Sequence, residues 1–142
     1  MKNTYELILK LKHFCHCNER KISIYCQINL AELKGIKAMG RDEAITCSDF
    51  SKRINLSPSR SSRIIDNMVK KKLLLRKTRE DDRRSILLYL TKKGWGLKEN
   101  IAQEEKKFEQ LLAAQLSDAD IEIIKKGLKL LEKVMKNDIY DR

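Results

Sequence analysis

Apolar positions recur along this chain at the period of an α-helix almost throughout, interrupted by one short stretch at the period of a strand. Leu7, Ile8, Leu11, Phe14 and Cys15 predict a first amphipathic helix, with Asn3 and Glu6 spaced as a capping box. Asn29 and Glu32 form a second such box, opening a helix through Leu30, Leu33, Ile36 and Met39 that closes near Gly40. A third helix starts after Thr46, with Cys47, Phe50 and Ile54 inward and Lys52 and Arg53 outward. The turn Asn55-Leu56-Ser57 leads into a fourth, for which Ser57 is the N-cap and Pro58 the first helical residue.

That fourth helix separates into two faces at about 100° per residue. Pro58, Ser61, Ser62, Ile64, Ile65, Met68 and Val69 make the apolar or small face, with Ser61 and Ser62 suited to a close helix crossing. Ser59, Arg60, Arg63, Asn67 and Lys70 make the other. The strand-like interval follows: Leu74–Lys77 can pair with Ser85–Leu90 as a hairpin, leaving Thr78–Arg84 as an exposed tip. After Gly94 a long helix carries Leu97, Ile101, Phe108, Leu111 and Leu112 to about Leu116. Ser117 and Asp120 then cap a last helix with Ile121, Ile124, Leu128, Leu131 and Met135 in stripe. Stripes this regular exceed what one small domain covers, so helix–helix dimerisation is expected; antiparallel packing of the two helices within one chain is the alternative.

A length of 142 residues with five Gly and one Pro fits a single, mainly helical domain. The placement of charge adds more. The net charge is +11, and Ser57–Gly94 holds twelve Lys/Arg against four Asp/Glu, so +8 of it lies in 38 residues. A polyanionic partner explains that concentration. The polar face of the fourth helix fits double-stranded DNA in particular: Arg reaches guanine edges, Asn adenine and Ser phosphate, and no carboxylate interrupts the set. The DNA-binding candidates are therefore Lys52, Ser57, Ser59, Arg60, Arg63 and Asn67, with Lys77, Arg79, Arg83 and Arg84 on the hairpin. A basic hairpin tip suits the minor groove, and Asp82 is read as orienting Arg84. A winged protein-interaction module docking an acidic partner is the rival reading. An enzyme is not expected, because no phosphate loop, Ser/His/Asp set or paired carboxylates are present. No stretch reaches the length of a membrane span, no lipid-facing apolar stripe accompanies the basic patch, and no secretory signal is visible; the cytoplasm is the expected compartment.

The string D-x-R-x-x-x-L-x-L-T-x-x-G from Asp82 to Gly94, preceded by I-D-N-M-V-K-K-K-L-L-L-R from Ile65, resembles the MarR-type winged helix-turn-helix regulators. The order of elements extends the resemblance over nearly the whole chain. It implies a winged helix-turn-helix at residues 29–94 with a wing at about 74–91, and dimerisation helices at 1–26 and 95–142. It further implies a homodimeric transcriptional regulator, a repressor, bound to a near-palindromic operator and released by a small-molecule effector. One position departs: Lys72 stands where the family pattern has Gly, a place suited to a left-handed residue ending the helix.

Both His and three of the four Cys cluster near the N-terminus: His13, Cys15, His16, Cys17 and Cys26. Without an export signal, free thiols or ligands are expected rather than disulfides. Three readings stand. Cys15 and Cys26 are small core residues with the His on the surface; or the thiols form a redox switch, which some MarR-type members carry at an N-terminal Cys; or the cluster binds zinc. On a continuous helix Cys15 and Cys17 point about 200° apart and cannot share a metal, whereas His13 and Cys17 can. A helix ending near Cys15 would instead free a C-x-C loop. Cys47, in phase with Phe50 and Ile54, is expected in the core.

Overall fold

A computed structural model of the chain describes residues 3–82 and 85–140. Its elements run α1 (Thr4–Tyr25), α2 (Leu30–Ala38), β1 (Ile45–Thr46), α3 (Cys47–Ile54), α4 (Pro58–Lys70), β2 (Leu74–Thr78), β3 (Ile86–Leu90), α5 (Lys92–Gln115) and α6 (Asp118–Val134), ending in a π-helical turn at Met135–Tyr140. The chain divides into two compact units, Met1–Ala102 and Gln103–Arg142.

In the first unit, α2, α3 and α4 enclose a core of Leu33, Ile36, Phe50, Ile65 and Met68, closed by Leu74 and Leu88 from the sheet and Ile101 from α5. The strands are antiparallel in the order β1-β3-β2. The hairpin registers Leu74 with Leu90 and Thr78 with Ile86. The expected two strands are joined by a third, because Ile45–Thr46 pairs with Leu87–Leu88. Helix α2 crosses its neighbours closely at Gly35, where an added Cβ would lie 2.9 Å from Phe50 Cζ and 3.0 Å from Met68 Sδ. The close approach expected at Ser61 and Ser62 is divided between two environments. Ser61 is buried, and its hydroxyl has no hydrogen-bond partner among the described residues. Ser62 and Pro58 are exposed, because the buried face of α4 is narrower than expected and runs through Ser61, Ile65 and Met68.

Three of the four anticipated caps form. Asn29 Oδ1 accepts from the Glu32 N–H at 2.8 Å while its amide donates to Glu32 Oε1 at 2.7 Å. Ser57 Oγ accepts from the Arg60 N–H at 3.3 Å, and Ser117 Oγ from the Asp120 N–H at 3.1 Å. Asn3 is the N-cap of α1, yet its side chain makes no capping bond. Thr46 caps α3 through the Asp49 N–H at 3.1 Å.

Three helices end on a left-handed residue, none of them glycine: Gln27, Asn55 and Lys72, at φ 57°, 56° and 61°. At each the chain closes a Schellman motif. After α4, the Lys72 N–H donates to Val69 O at 2.9 Å and the Leu73 N–H to Met68 O at 2.8 Å. The departure seen at Lys72 is therefore a substitution within an unchanged turn.

In the second unit, the latter part of α5 turns at Leu116–Ser117 into α6. No described residue of α6 is buried. Phe108, Leu111 and Leu112 on α5, and Ile124 and Leu128 on α6, stand exposed. In the first unit Leu7, Leu11 and Phe14 of α1 are likewise open to solvent. Among the described residues no helix is long and apolar enough to cross a membrane.

Candidate nucleic-acid interface

Helix α4 carries the charge face that its sequence pattern implies. Ile65 and Met68 anchor it in the core while Ile64 and Val69 are half-buried, so Ser59, Arg60, Arg63, Asn67 and Lys70 are all exposed. The Arg60 and Arg63 guanidiniums have no ion pair among the described residues, and their charge is free to meet a ligand. Asp66, the one acid on this helix, is neutralised by an ion pair with Arg76 of β2. That pair also ties the hairpin to the helix. Ser57 is occupied as the cap, while Lys52 is exposed near the end of α3.

The hairpin adds a second basic edge. Lys77 lies with its ammonium 5.4 Å from the Tyr89 ring centroid, a cation–π contact that steers the side chain across β3. Arg79 is bidentate with Asp81, Nε to Oδ1 and Nη2 to Oδ2 both at 3.1 Å, so part of its charge is answered at the tip. Asp82 Oδ2 accepts from Ser85 Oγ at 3.1 Å, and the Asp82 carbonyl accepts from the Ser85 N–H at 3.0 Å, which shapes the turn. Arg83 and Arg84, and with them the Asp82–Arg84 pairing expected from sequence, lie outside the described residues.

The L-x-L-T-x-x-G string closes the base of the hairpin. The Thr91 N–H donates to Leu73 O at 3.1 Å and its hydroxyl to Lys72 O at 2.5 Å. Thr91 Oγ1 in turn accepts from the Gly94 N–H at 3.0 Å, capping α5. Gly94 is required because a Cβ there would lie 2.3 Å from Leu73 O. The end of α4, the root of the wing and the start of α5 thus meet in one knot.

Several supports of this surface were not evident from sequence. Glu32 is buried at 1% exposure, and its carboxylate takes the Lys71 ammonium at 2.7 and 2.9 Å, fastening α2 to the end of α4. Arg53, expected on the outer face of α3, binds Ala38 O at 2.9 Å and Glu43 at 2.8 and 2.5 Å. The Arg53 guanidinium and then the Gly40 N–H hold the Glu43 carboxyl down to about 2. Arg41 stacks over Trp95 at 4.9 Å. Apart from the Gly40–Glu43 bond, which spans three residues, all bridge ten or more, so no local pattern announces them.

The His/Cys cluster lies on an unbroken helix. Helix α1 continues to Tyr25, so no C-x-C loop forms after Cys15. Cys15 is exposed rather than in the core, because the stripe it shares with Leu7 and Leu11 is uncovered. Cys17, Cys26 and Cys47 are half-buried, and none of the four cysteines forms a disulfide among the described residues. Cys47 packs against the core without entering it, since it occupies the first turn of α3. Among the described residues no group of three or more His, Cys, Asp or Glu side chains is placed to hold a metal ion.

Residues 28–86 match the model of the MarR family. Over that stretch, which is less than half of the chain, the sequence is similar to the MarR family. This family is one of DNA-binding transcriptional regulators, and the matched residues span α2 through the hairpin tip, the elements that build the surface above. No curated protein matches the chain. Among solved structures, Streptococcus pneumoniae FabT in complex with DNA is 22% identical with a TM-score of 0.79, over 94% of this chain and 98% of that one. A mutant of S. aureus MepR is 22% identical with a TM-score of 0.78, over 92% and 97%. Wild-type MarR from E. coli in its apo form is 20% identical with a TM-score of 0.77, over 90% and 95%. At these identities the likeness establishes the MarR-type winged-helix fold along nearly the whole chain.

Proposed function

We propose that this MarR-family chain is a non-enzymatic transcriptional repressor that binds a near-palindromic operator as a homodimer in the cytoplasm. The observation that carries the reading is the α4 face of Ser59, Arg60, Arg63, Asn67 and Lys70, exposed, free of carboxylates and next to a basic hairpin. In a symmetric dimer the two α4 helices enter successive major grooves about 34 Å apart. Arg60, Arg63 and Asn67 contact base edges; Ser57, Ser59 and Lys52 contact phosphate; Lys77, Arg79, Arg83 and Arg84 serve the wing. The uncovered apolar faces of α1 and, separately, of the helices after residue 103 support dimerisation. The FabT structure is of a DNA complex, and one MepR mutant structure is bound to an oligodeoxyribonucleotide, which supports DNA as the ligand here. A small effector has room in a cavity of about 380 Å³ lined by Cys26, Ile28, Lys71, Leu73, Lys93 and Leu97.

Selection of bound duplexes from a random pool tests the reading. The wild-type chain should enrich a two-fold symmetric site. Arg63→Ala should relax preference at one position in each half-site, at about 1–3 kcal/mol of lost discrimination. Failure to enrich any duplex, together with capture of an acidic protein by the same face, would replace DNA reading by protein docking.

A further inference from the structure

Helix α1 places His13 and Cys17 one turn apart, with His13 Nε2 3.6 Å from Cys17 Sγ. A tetrahedral zinc ion bound to one imidazole nitrogen and one thiolate sulfur, at bond lengths of about 2.05 and 2.3 Å, separates those two atoms by about 3.55 Å. The gap already present is therefore the bite of a chelate. The helix is continuous from Thr4 to Tyr25, so its backbone holds the two side chains together, in hydrogen-bond contact with each other.

We propose that His13 and Cys17 form a two-residue chelating site for Zn²⁺, a borderline-soft divalent cation that accepts nitrogen and sulfur together. On binding, the Cys17 S–H bond breaks, the sulfur lone pair forms the Zn–S bond, and the proton passes to solvent. The neutral His13 ring donates through Nε2. His13 is exposed and Cys17 half-buried, which leaves the outer coordination positions open to water. The pair lies beside the exposed Leu7, Leu11 and Phe14 stripe, with the His13 ring centroid 6.1 Å from that of Phe14. Cys15, about 200° around the helix from Cys17, cannot join it.

Co²⁺ titration of the full chain under reducing conditions tests the site, because a cobalt–thiolate bond gives a near-ultraviolet charge-transfer band that water and imidazole ligation do not. The wild-type chain and Cys15→Ser should both develop the band, saturating at no more than one equivalent per chain and bleached by added Zn²⁺. Cys17→Ser should lose it, and His13→Ala should weaken binding by roughly tenfold or more. Far-UV circular dichroism confirms that each variant keeps its helices. The site is refuted if wild type shows no thiolate band at a tenfold excess of Co²⁺. Survival of the band in Cys17→Ser, its loss in Cys15→Ser, or unweakened binding in His13→Ala would equally refute it. None of these outcomes touches the DNA-reading surface.

Discussion

Replacing Lys72 with glycine should make the protein more stable. Lys72 closes α4 at φ 61°. A side chain in that region costs about 1–2 kcal/mol, because Cβ crowds the following carbonyl oxygen. Glycine escapes the crowding but loses about 0.5–1 kcal/mol through its greater freedom in the unfolded chain. The expected net gain is about 0.5–1 kcal/mol. Nothing offsets it in the folded state. The Lys72 side chain is exposed, and the motif's bonds, to Val69 O at 2.9 Å and from Leu73 N to Met68 O at 2.8 Å, run through the backbone. Urea unfolding at one fixed protein concentration should show the midpoint rising by about 0.3–0.5 M for a slope near 2 kcal/mol/M. Lys72→Ala keeps the strain and should move stability by less than about 0.5 kcal/mol. An unchanged or lowered midpoint for the glycine variant would show that the left-handed residue imposes no penalty here, and the account of this turn would fail.

Lys71→Met removes the ammonium facing buried Glu32, whose remaining side-chain partner is the Asn29 amide. The loss should be about 2 kcal/mol by urea unfolding, below the value for a fully buried pair because the Lys71 side chain is 44% exposed. A loss under about 0.5 kcal/mol would mean that water solvates Glu32 unaided. Gly94→Ala should cost about 1–3 kcal/mol, since the new Cβ would lie 2.3 Å from Leu73 O and the knot must shift; wild-type stability in that variant would contradict the close contact. The Glu43 carboxyl sits at about 2 in the fold against an ordinary 4.5, a depressed value. Its contribution is therefore complete above about 4.5 and lost as pH falls through about 2. Arg53→Ala should flatten stability against pH within that window, and an unaltered acid profile would remove Arg53 as the cause.

What could be read from sequence was mostly local. Asn29–Glu32, Ser57–Arg60 and Ser117–Asp120 each close within three residues, and the faces of α4 follow from periodicity once its cap is placed. Asn3 misled because a capping box needs the Asn side chain turned onto the helix, and this one makes no such bond. Strand β1 escaped notice because two residues have no period of their own; its partners Leu87 and Leu88 come more than forty positions later. Glu32–Lys71 and Arg53–Glu43 are likewise products of the folded arrangement, so their residues looked like ordinary surface charge. On α1 the spacing of His13 and Cys17 pointed to one face, but only coordinates give the separation of the two atoms. Ser61 and Ser62, adjacent and alike in sequence, part company because Ser61 shares the buried face of α4 with Ile65 and Met68 and Ser62 lies off it.

The junction at Thr91 limits how α4 and the hairpin can move against the start of α5. One threonine is bonded at once to the carbonyls of Lys72 and Leu73, just past the end of α4, and to the first turn of α5, and the absent Cβ of Gly94 brings the two backbones together. Nothing slack separates them, so a tilt at the start of α5 drags the hairpin root and the tail of α4 along as one lever. Arg60 and Arg63 stand on α4, the helix whose end is tied into this junction.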